Sequence, residues 1–146
     1  MLPREAIWLG CRADGKPDAL RQAGAVLTEI GAVEPGYAEA MFEREASIST
    51  YMGEGVAIPH GTDASRRLVR RTTLGFLQFP EGVDWGDGNV VRICLPIAAR
   101  GGEHLALLSA LARVLIDPEK AEALRNAADP DRVFSILASA VEEEMS

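Results

Sequence analysis

Residues 53–62 read Gly53-Glu54-Gly55-Val56-Ala57-Ile58-Pro59-His60-Gly61-Thr62, and the rest of the chain is arranged around them. The three apolar residues at 56–58 predict a short strand entering the protein. Pro59 lacks a backbone donor and ends the pairing, because proline is tolerated at a strand end but not inside it. Gly61 can adopt backbone angles closed to other residues and lets another molecule come close. His60, one of two histidines in the chain, is therefore displayed on a rigid mount with little bulk beside it. That is how a chain would offer an imidazole nucleophile to a large partner. The plain alternative is a structural histidine held at a strand end.

A length of 146 residues suits one domain, spanning 1–146, with a substantial core. With 47% hydrophobic and 25% charged residues, the composition is that of an ordinary globular protein. A formal net charge of −7 argues against nucleic acid as a partner and leaves an acidic face for a basic protein. Cys11 and Cys94 fit neither a disulfide framework nor a zinc site, and a reducing cytoplasm needs neither. No apolar run is long enough to cross a bilayer, and the N-terminus lacks a signal peptide's apolar core. The expectation is a cytoplasmic protein with no direct membrane insertion.

In chain order, residues 6–9 predict an edge strand. Asp14 to Pro17 is turn chemistry, and Asp18 favours a helix start. Ala19, Leu20, Ala23, Val26, Leu27 and Ile30 recur at helical spacing until Gly31 stops the helix. Pro35 begins a second helix, with Tyr37, Ala38, Met41 and Phe42 inward and Glu39, Glu43 and Glu45 outward. Arg44 belongs to its polar side, shortly before the irregular residues 47–50. After His60 come Arg66, Arg67, Arg70 and Arg71, which read either as a solvated face or as an attraction for a phosphorylated partner. Residues 72–79 predict a strand. Pro80-Glu81-Gly82 and Gly86-Asp87-Gly88-Asn89 bracket a loop holding Trp85. Residues 90–99 predict a second strand, buried on both faces, with Pro96 marking an irregularity. Gly101-Gly102 opens a helix carrying His104, with Leu105, Leu108, Leu111, Ala112 and Leu115 at core spacing. Asp117-Pro118 and Asp129-Pro130 start two more, and residues 142–145 predict a frayed acidic end.

Three polar residues at element ends are candidates for chemistry: Arg44, His60 and His104. Phosphoryl transfer between proteins needs a nucleophile, donors for the charge on the phosphoryl oxygens, and in-line access. Neutral imidazole, with an ordinary pKa of about 6.5, is a nucleophile near neutral pH without a metal. Arginine supplies a planar fork of donors. A second histidine can orient the first or donate to the phosphoryl group. The plain alternatives are a solvated Arg44 beside an acidic neighbour such as Glu39, and a His104 that is only a polar residue at a helix start.

The His60 stretch resembles the phosphorylation-site signature of the type-2 (fructose–mannitol) IIA proteins of the bacterial phosphoenolpyruvate-dependent sugar phosphotransferase system. Glu34-Pro35-Gly36-Tyr37 and Arg44-Glu45 are similar to the family's second helix. Gln78-Phe79-Pro80-Glu81-Gly82-Val83, Ile97-Ala98-Ala99-Arg100 and Glu103-His104 resemble its mannitol branch. Residues 84–89, Pro96 and Gly101-Gly102 depart from that pattern. The resemblance implies an α/β fold, a mixed sheet flanked by helices. It also implies a phosphotransferase in which His60 accepts a phosphoryl group from HPr, on Nε2, and passes it to a cysteine of a IIB component. Arg44 and His104 align with the family's supporting arginine and histidine. No metal or organic cofactor is implied. The IIB and IIC permease components are expected on separate polypeptides. Two other readings stand beside transport of mannitol or a related sugar alcohol. One is a nitrogen-regulatory IIA protein, and the other is a non-catalytic binding domain of the same fold.

Overall fold

The computed structural model describes residues 1–145. Its centre is a five-stranded mixed sheet in the order β1-β5-β6-β3-β2, formed by β1 (Ile7–Trp8), β2 (Tyr51–Gly53), β3 (Val56–Ala57), β5 (Phe76–Gly86) and β6 (Asn89–Cys94). The pairs β1–β5 and β3–β6 are parallel; β5–β6 and β2–β3 are antiparallel. A two-stranded antiparallel sheet, β4 (Thr73–Leu74) with β7 (Ile97–Ala98), lies beside it.

Side chains alternate across a strand, so the sheet divides the core into two clusters. One packs Ala57, Leu77, Phe79 and Cys94 against α1 (Lys16–Glu29) and α2 (Tyr37–Ser47). The other packs Val56, Phe76, Ile93 and Leu95 against α3 (Glu103–Leu115), α4 (Pro118–Arg125) and α5 (Pro130–Met145). The expected mixed sheet flanked by helices is present, with the residue 6–9 strand at a sheet edge. Helices α1 and α2 meet closely because Gly24 has no Cβ; one built there would lie 2.7 Å from Ala38 Cβ. Asp117 caps α4 by accepting from Glu119 N at 3.0 Å, and Pro130 occupies the first turn of α5, where its missing donor costs nothing.

Several expectations need correction. The predicted strand 72–79 is broken at Gly75, which was not expected, and the strand 90–99 is interrupted around Pro96, where the proline marked an irregularity. These breaks face each other, with Gly75 N donating to Pro96 O at 2.9 Å. Pro96 has no donor with which to continue a ladder. The predicted loop around Trp85 is strand instead: β5 runs to Gly86, absorbing residues 80–82 as an irregularity, and Trp85 is buried. The turn is only Asp87-Gly88, both at positive φ.

Helix α2 begins at Tyr37, after Gly36, rather than at Pro35. Phe42 is exposed and Glu45 is buried, the reverse of their predicted sides. In α3 the buried stripe is Leu107, Ala110, Leu111 and Val114, so Leu111 faces inward as predicted and Leu108 and Leu115 pack at the edge of the core, but Leu105 and Ala112 are exposed. Leu107, Leu108, Leu111 and Leu115 fall within one arc of about 100°, and packing on α5 centres the core on its Leu107–Leu111 side. The predicted frayed end is helical: Arg113 pairs with Glu143 at 3.6 Å and Glu144 at 2.9 Å.

Candidate functional site

His60 lies just past the carboxyl end of β3, where β3 runs parallel to β6. The crevice outside the carboxyl ends of parallel strands is where such sheets commonly place their sites. The histidine's mount is bonded on both sides. Ile97 N donates to Pro59 O at 2.9 Å, and His60 itself bridges to Ile97. The buried Tyr37 hydroxyl donates to Ile97 O at 2.8 Å and accepts from Gly61 N at 2.9 Å, tying α2, β7 and the His60 loop together. Gly61 is required by this closeness. A Cβ there would lie 2.3 Å from Ser65 Oγ and 2.7 Å from Tyr37 Cε1.

His60 Nδ1 is 2.8 Å from Ile58 O. A carbonyl only accepts, so Nδ1 carries the proton and Nε2 keeps a free lone pair. His104, in the first turn of α3, places its ring centroid 4.8 Å from that of His60, with the planes tilted by 56°. The start of α3 is fixed by Thr72, whose hydroxyl donates to Glu103 Oε1 at 2.7 Å and accepts from Arg100 N at 3.0 Å. Arg44, in the last turn of α2, donates one guanidinium nitrogen to Ile48 O at 2.6 Å. Its charge acts on both imidazoles. The structure thus brings His60 and His104 into ring contact and sets Arg44 within electrostatic reach of both.

Burial pushes the His60 pKa below its ordinary value, because the imidazolium loses water. Arg44 and Arg66 push the same way, against the Ile58 carbonyl and the Glu45 charge. His104 is lowered too, first by burial, then by His60, Arg66 and Arg44, with Asp63 opposing. Both rings are therefore neutral near pH 7. The arrangement offers a neutral nucleophilic nitrogen, a neighbouring imidazole and two guanidinium groups, which suits a dianionic phosphoryl group. Among the described residues no cluster of three or more histidine, cysteine or carboxylate side chains is placed to hold a metal ion.

The family model for the phosphoenolpyruvate-dependent sugar phosphotransferase system, EIIA 2, matches residues 1–140. The chain belongs to that family. This EIIA 2 protein is 43% identical over 137 residues to the mannitol-specific phosphotransferase enzyme IIA component of Geobacillus stearothermophilus, covering 94% of each. It is 40% identical to the PTS system mannitol-specific EIICBA component of Vibrio cholerae over 94% of its own length, but spans only 22% of that longer protein. Among solved structures it is similar to the complex of enzyme IIAMTL and phosphorylated enzyme IIBMTL from Escherichia coli. The TM-score there is 0.89 at 37% identity, with 95% of this chain and 99% of the other covered.

Three further residues act on this constellation through hydrogen bonds or charge; from the sequence Tyr37 and Glu45 were read only as helix residues, and Arg66 only as one of a basic cluster with a solvated or a phosphate-attracting reading. Tyr37 was assigned to the core by its apolar ring, although a buried tyrosine needs a partner for its hydroxyl. Arg66 was one of four arginines; what sets it apart is Asp63, three residues earlier and 3.2 Å away in a short 3₁₀ turn. Glu45 was placed outward by its charge, although the spacing Tyr37, Met41, Glu45 marks one helix face.

Proposed function

We propose that this chain is a phosphocarrier in which His60 Nε2 accepts a phosphoryl group from the phosphohistidine of HPr and passes it to a cysteine of a mannitol-type IIB component. In the first step the lone pair on Nε2 forms a bond to phosphorus as the donor's nitrogen–phosphorus bond breaks, and the donor nitrogen keeps that electron pair. The His60 ring becomes positively charged, with its proton still on Nδ1 and directed at the Ile58 carbonyl. In the second step a thiolate attacks phosphorus, the Nε2–phosphorus bond breaks, and His60 regains its neutral form. Arg44 and His104 act as donors to the phosphoryl oxygens in flight, where charge stabilisation contributes most.

The observation that carries the reading is the Nδ1–Ile58 hydrogen bond, which leaves Nε2 as the free nitrogen. Two exposed apolar side chains beside the site support a protein partner over a small molecule. Leu105, next to His104, is 72% exposed, and Ile48, which binds Arg44 through its carbonyl, is 69% exposed. Residues 1–146 act in this reading as a single EIIA unit in the cytoplasm, with the IIB and IIC permease components as partners. Mannitol or a related sugar alcohol is the cargo, and no metal or organic cofactor takes part.

The test is direct. Incubation with phosphoenolpyruvate, enzyme I and HPr should add one acid-labile, base-stable phosphate, which a IIB domain then removes. His60→Ala should abolish labelling. Labelling that persists in this variant would overturn the assignment.

A further inference from the structure

The Glu45 carboxylate is 5% exposed and has no part in the transfer steps above. Its two oxygens accept from Thr50 N at 3.1 and 3.0 Å, one of them also from the Thr50 hydroxyl, and Lys16 Nζ lies 3.0 Å away. A charge withdrawn from water this far requires such donors. The series does not stop at Thr50. The Thr50 carbonyl accepts from Ile58 N at 3.1 Å, and the Ile58 carbonyl is the group that holds His60 Nδ1. Pro59 confines the residue before it to extended backbone angles, so fixing the Ile58 amide also fixes the direction of its carbonyl. An unbroken set of hydrogen bonds therefore leads from α2 to the His60 imidazole.

We propose that Glu45 is a positioning residue for phosphoryl transfer: by holding Thr50 it fixes Ile58, whose carbonyl keeps the His60 proton on Nδ1 and the lone pair on Nε2. The inference rests on the reading of His60 as acceptor. Successive residues of one helix turn are divided between two tasks, with Arg44 turned to the site and Glu45 to the interior. The competing account is that Glu45 only joins α1 to α2 through Lys16. That account predicts lost stability with the His60 ring unaltered.

The two accounts separate in the unphosphorylated protein, where imidazole ¹⁵N chemical shifts report which nitrogen carries the proton. Wild-type protein and Thr50→Ser, which keeps the hydroxyl, should show His60 protonated on Nδ1. Glu45→Gln and Thr50→Val should show an added Nε2–H population, and Lys16→Met should match wild type. With phosphorylated HPr at saturation, Glu45→Gln should transfer more slowly, on the order of tenfold to a hundredfold, the cost of a small misplacement of a reacting group, with KM unchanged. A wild-type tautomer in both Glu45→Gln and Thr50→Val overturns the proposal whatever the rate, and Thr50→Val decides if Glu45→Gln does not fold. A Lys16→Met shift as large as that of Glu45→Gln also overturns it, by assigning the effect to the α1–α2 ion pair. If wild type accepts no phosphate, the acceptor reading fails while the tautomer still tests the hydrogen-bonded series.

Discussion

Replacing Tyr37 by Phe removes one oxygen atom and leaves two buried backbone groups, Gly61 N and Ile97 O, without their partner. An orphaned buried polar group costs about 1–3 kcal/mol. Two such groups at the lower end of that range give about 2 kcal/mol for the pair. Unfolding entropy of roughly 2.1 cal/mol/K per residue gives about 0.3 kcal/mol/K for 146 residues, and Tm should fall by about 6–7 °C. The same change frees the His60 loop from α2 and β7, so acceptance of phosphate should slow on the order of tenfold to a hundredfold. Calorimetry and rapid-quench phosphotransfer measure the two effects on one preparation. A Tm within about 1 °C of wild type, together with an unchanged rate, would refute the reasoning that this hydroxyl fixes the loop.

Arg44→Ala and His104→Ala should keep the fold, judged by circular dichroism, and slow phosphorylation of His60 by roughly ten- to a thousandfold, with Arg44→Lys recovering only part; wild-type rates in both alanine variants would remove these residues from the transfer step. The His60 pKa is depressed by burial, so the acceptor should stay neutral as pH falls through the ordinary value of about 6.5, and the transfer rate should decline only below it. The sign for stability is the same: the unfolded chain binds the proton first, so the contribution of His60 to stability is complete above 6.5 and is lost as pH falls below it. An NMR titration midpoint at or above 6.5 would contradict both statements. Gln78→Leu should destabilise by about 1–3 kcal/mol, lowering the urea midpoint without changing m, because Gln78 Nε2 donates to Ala127 O at 2.9 Å and to two other carbonyls at the end of α4.

Much of the fold was legible because burial and spacing agree along most of the chain. Ala19 through Leu27 carries one apolar stripe and one only, and it is buried as read. Asp117-Pro118 and Asp129-Pro130 announce helix starts by local chemistry that no tertiary contact had to correct. What failed was the break at Gly75 and its pairing with the irregularity expected at Pro96. Gly75 and Pro96 are 21 residues apart in sequence, and nothing local says that the two breaks face each other. The stretch at Pro80-Glu81-Gly82 carries turn chemistry, yet strand pairing across it overrode that signal on both sides. In α3 the error was a rotation of the stripe: Leu108, Leu111 and Leu115 were read toward the core, but the buried face is centred nearer Leu107 and Val114, which leaves Leu105 and Ala112 exposed.

The candidate site was legible at His60, where Pro59 and Gly61 frame the ring, and less so around it. Glu45 shows why. Two rules applied to it and gave opposite answers: its charge sends it to water, and its place four residues after Met41, itself four after Tyr37, sends it inward. Reading by polarity alone put all the acidic residues of α2 on one side. Spacing is the stronger rule in this case, because a helix cannot turn one residue outward while its neighbours at i−4 and i−8 stay buried. The charge is then a demand for partners, not an argument against burial, and the demand is met by the Thr50 donors and Lys16. A polar residue on an apolar stripe is where local preference and global packing disagree, and such disagreements gather at functional sites. Tyr37 is the milder case of the same conflict on the same face, and its hydroxyl bonds directly to the His60 loop. The stripe Tyr37, Met41, Glu45 therefore carries, in its two polar members, both supports of the histidine: one reaches Gly61 directly, and the other reaches Ile58 through Thr50.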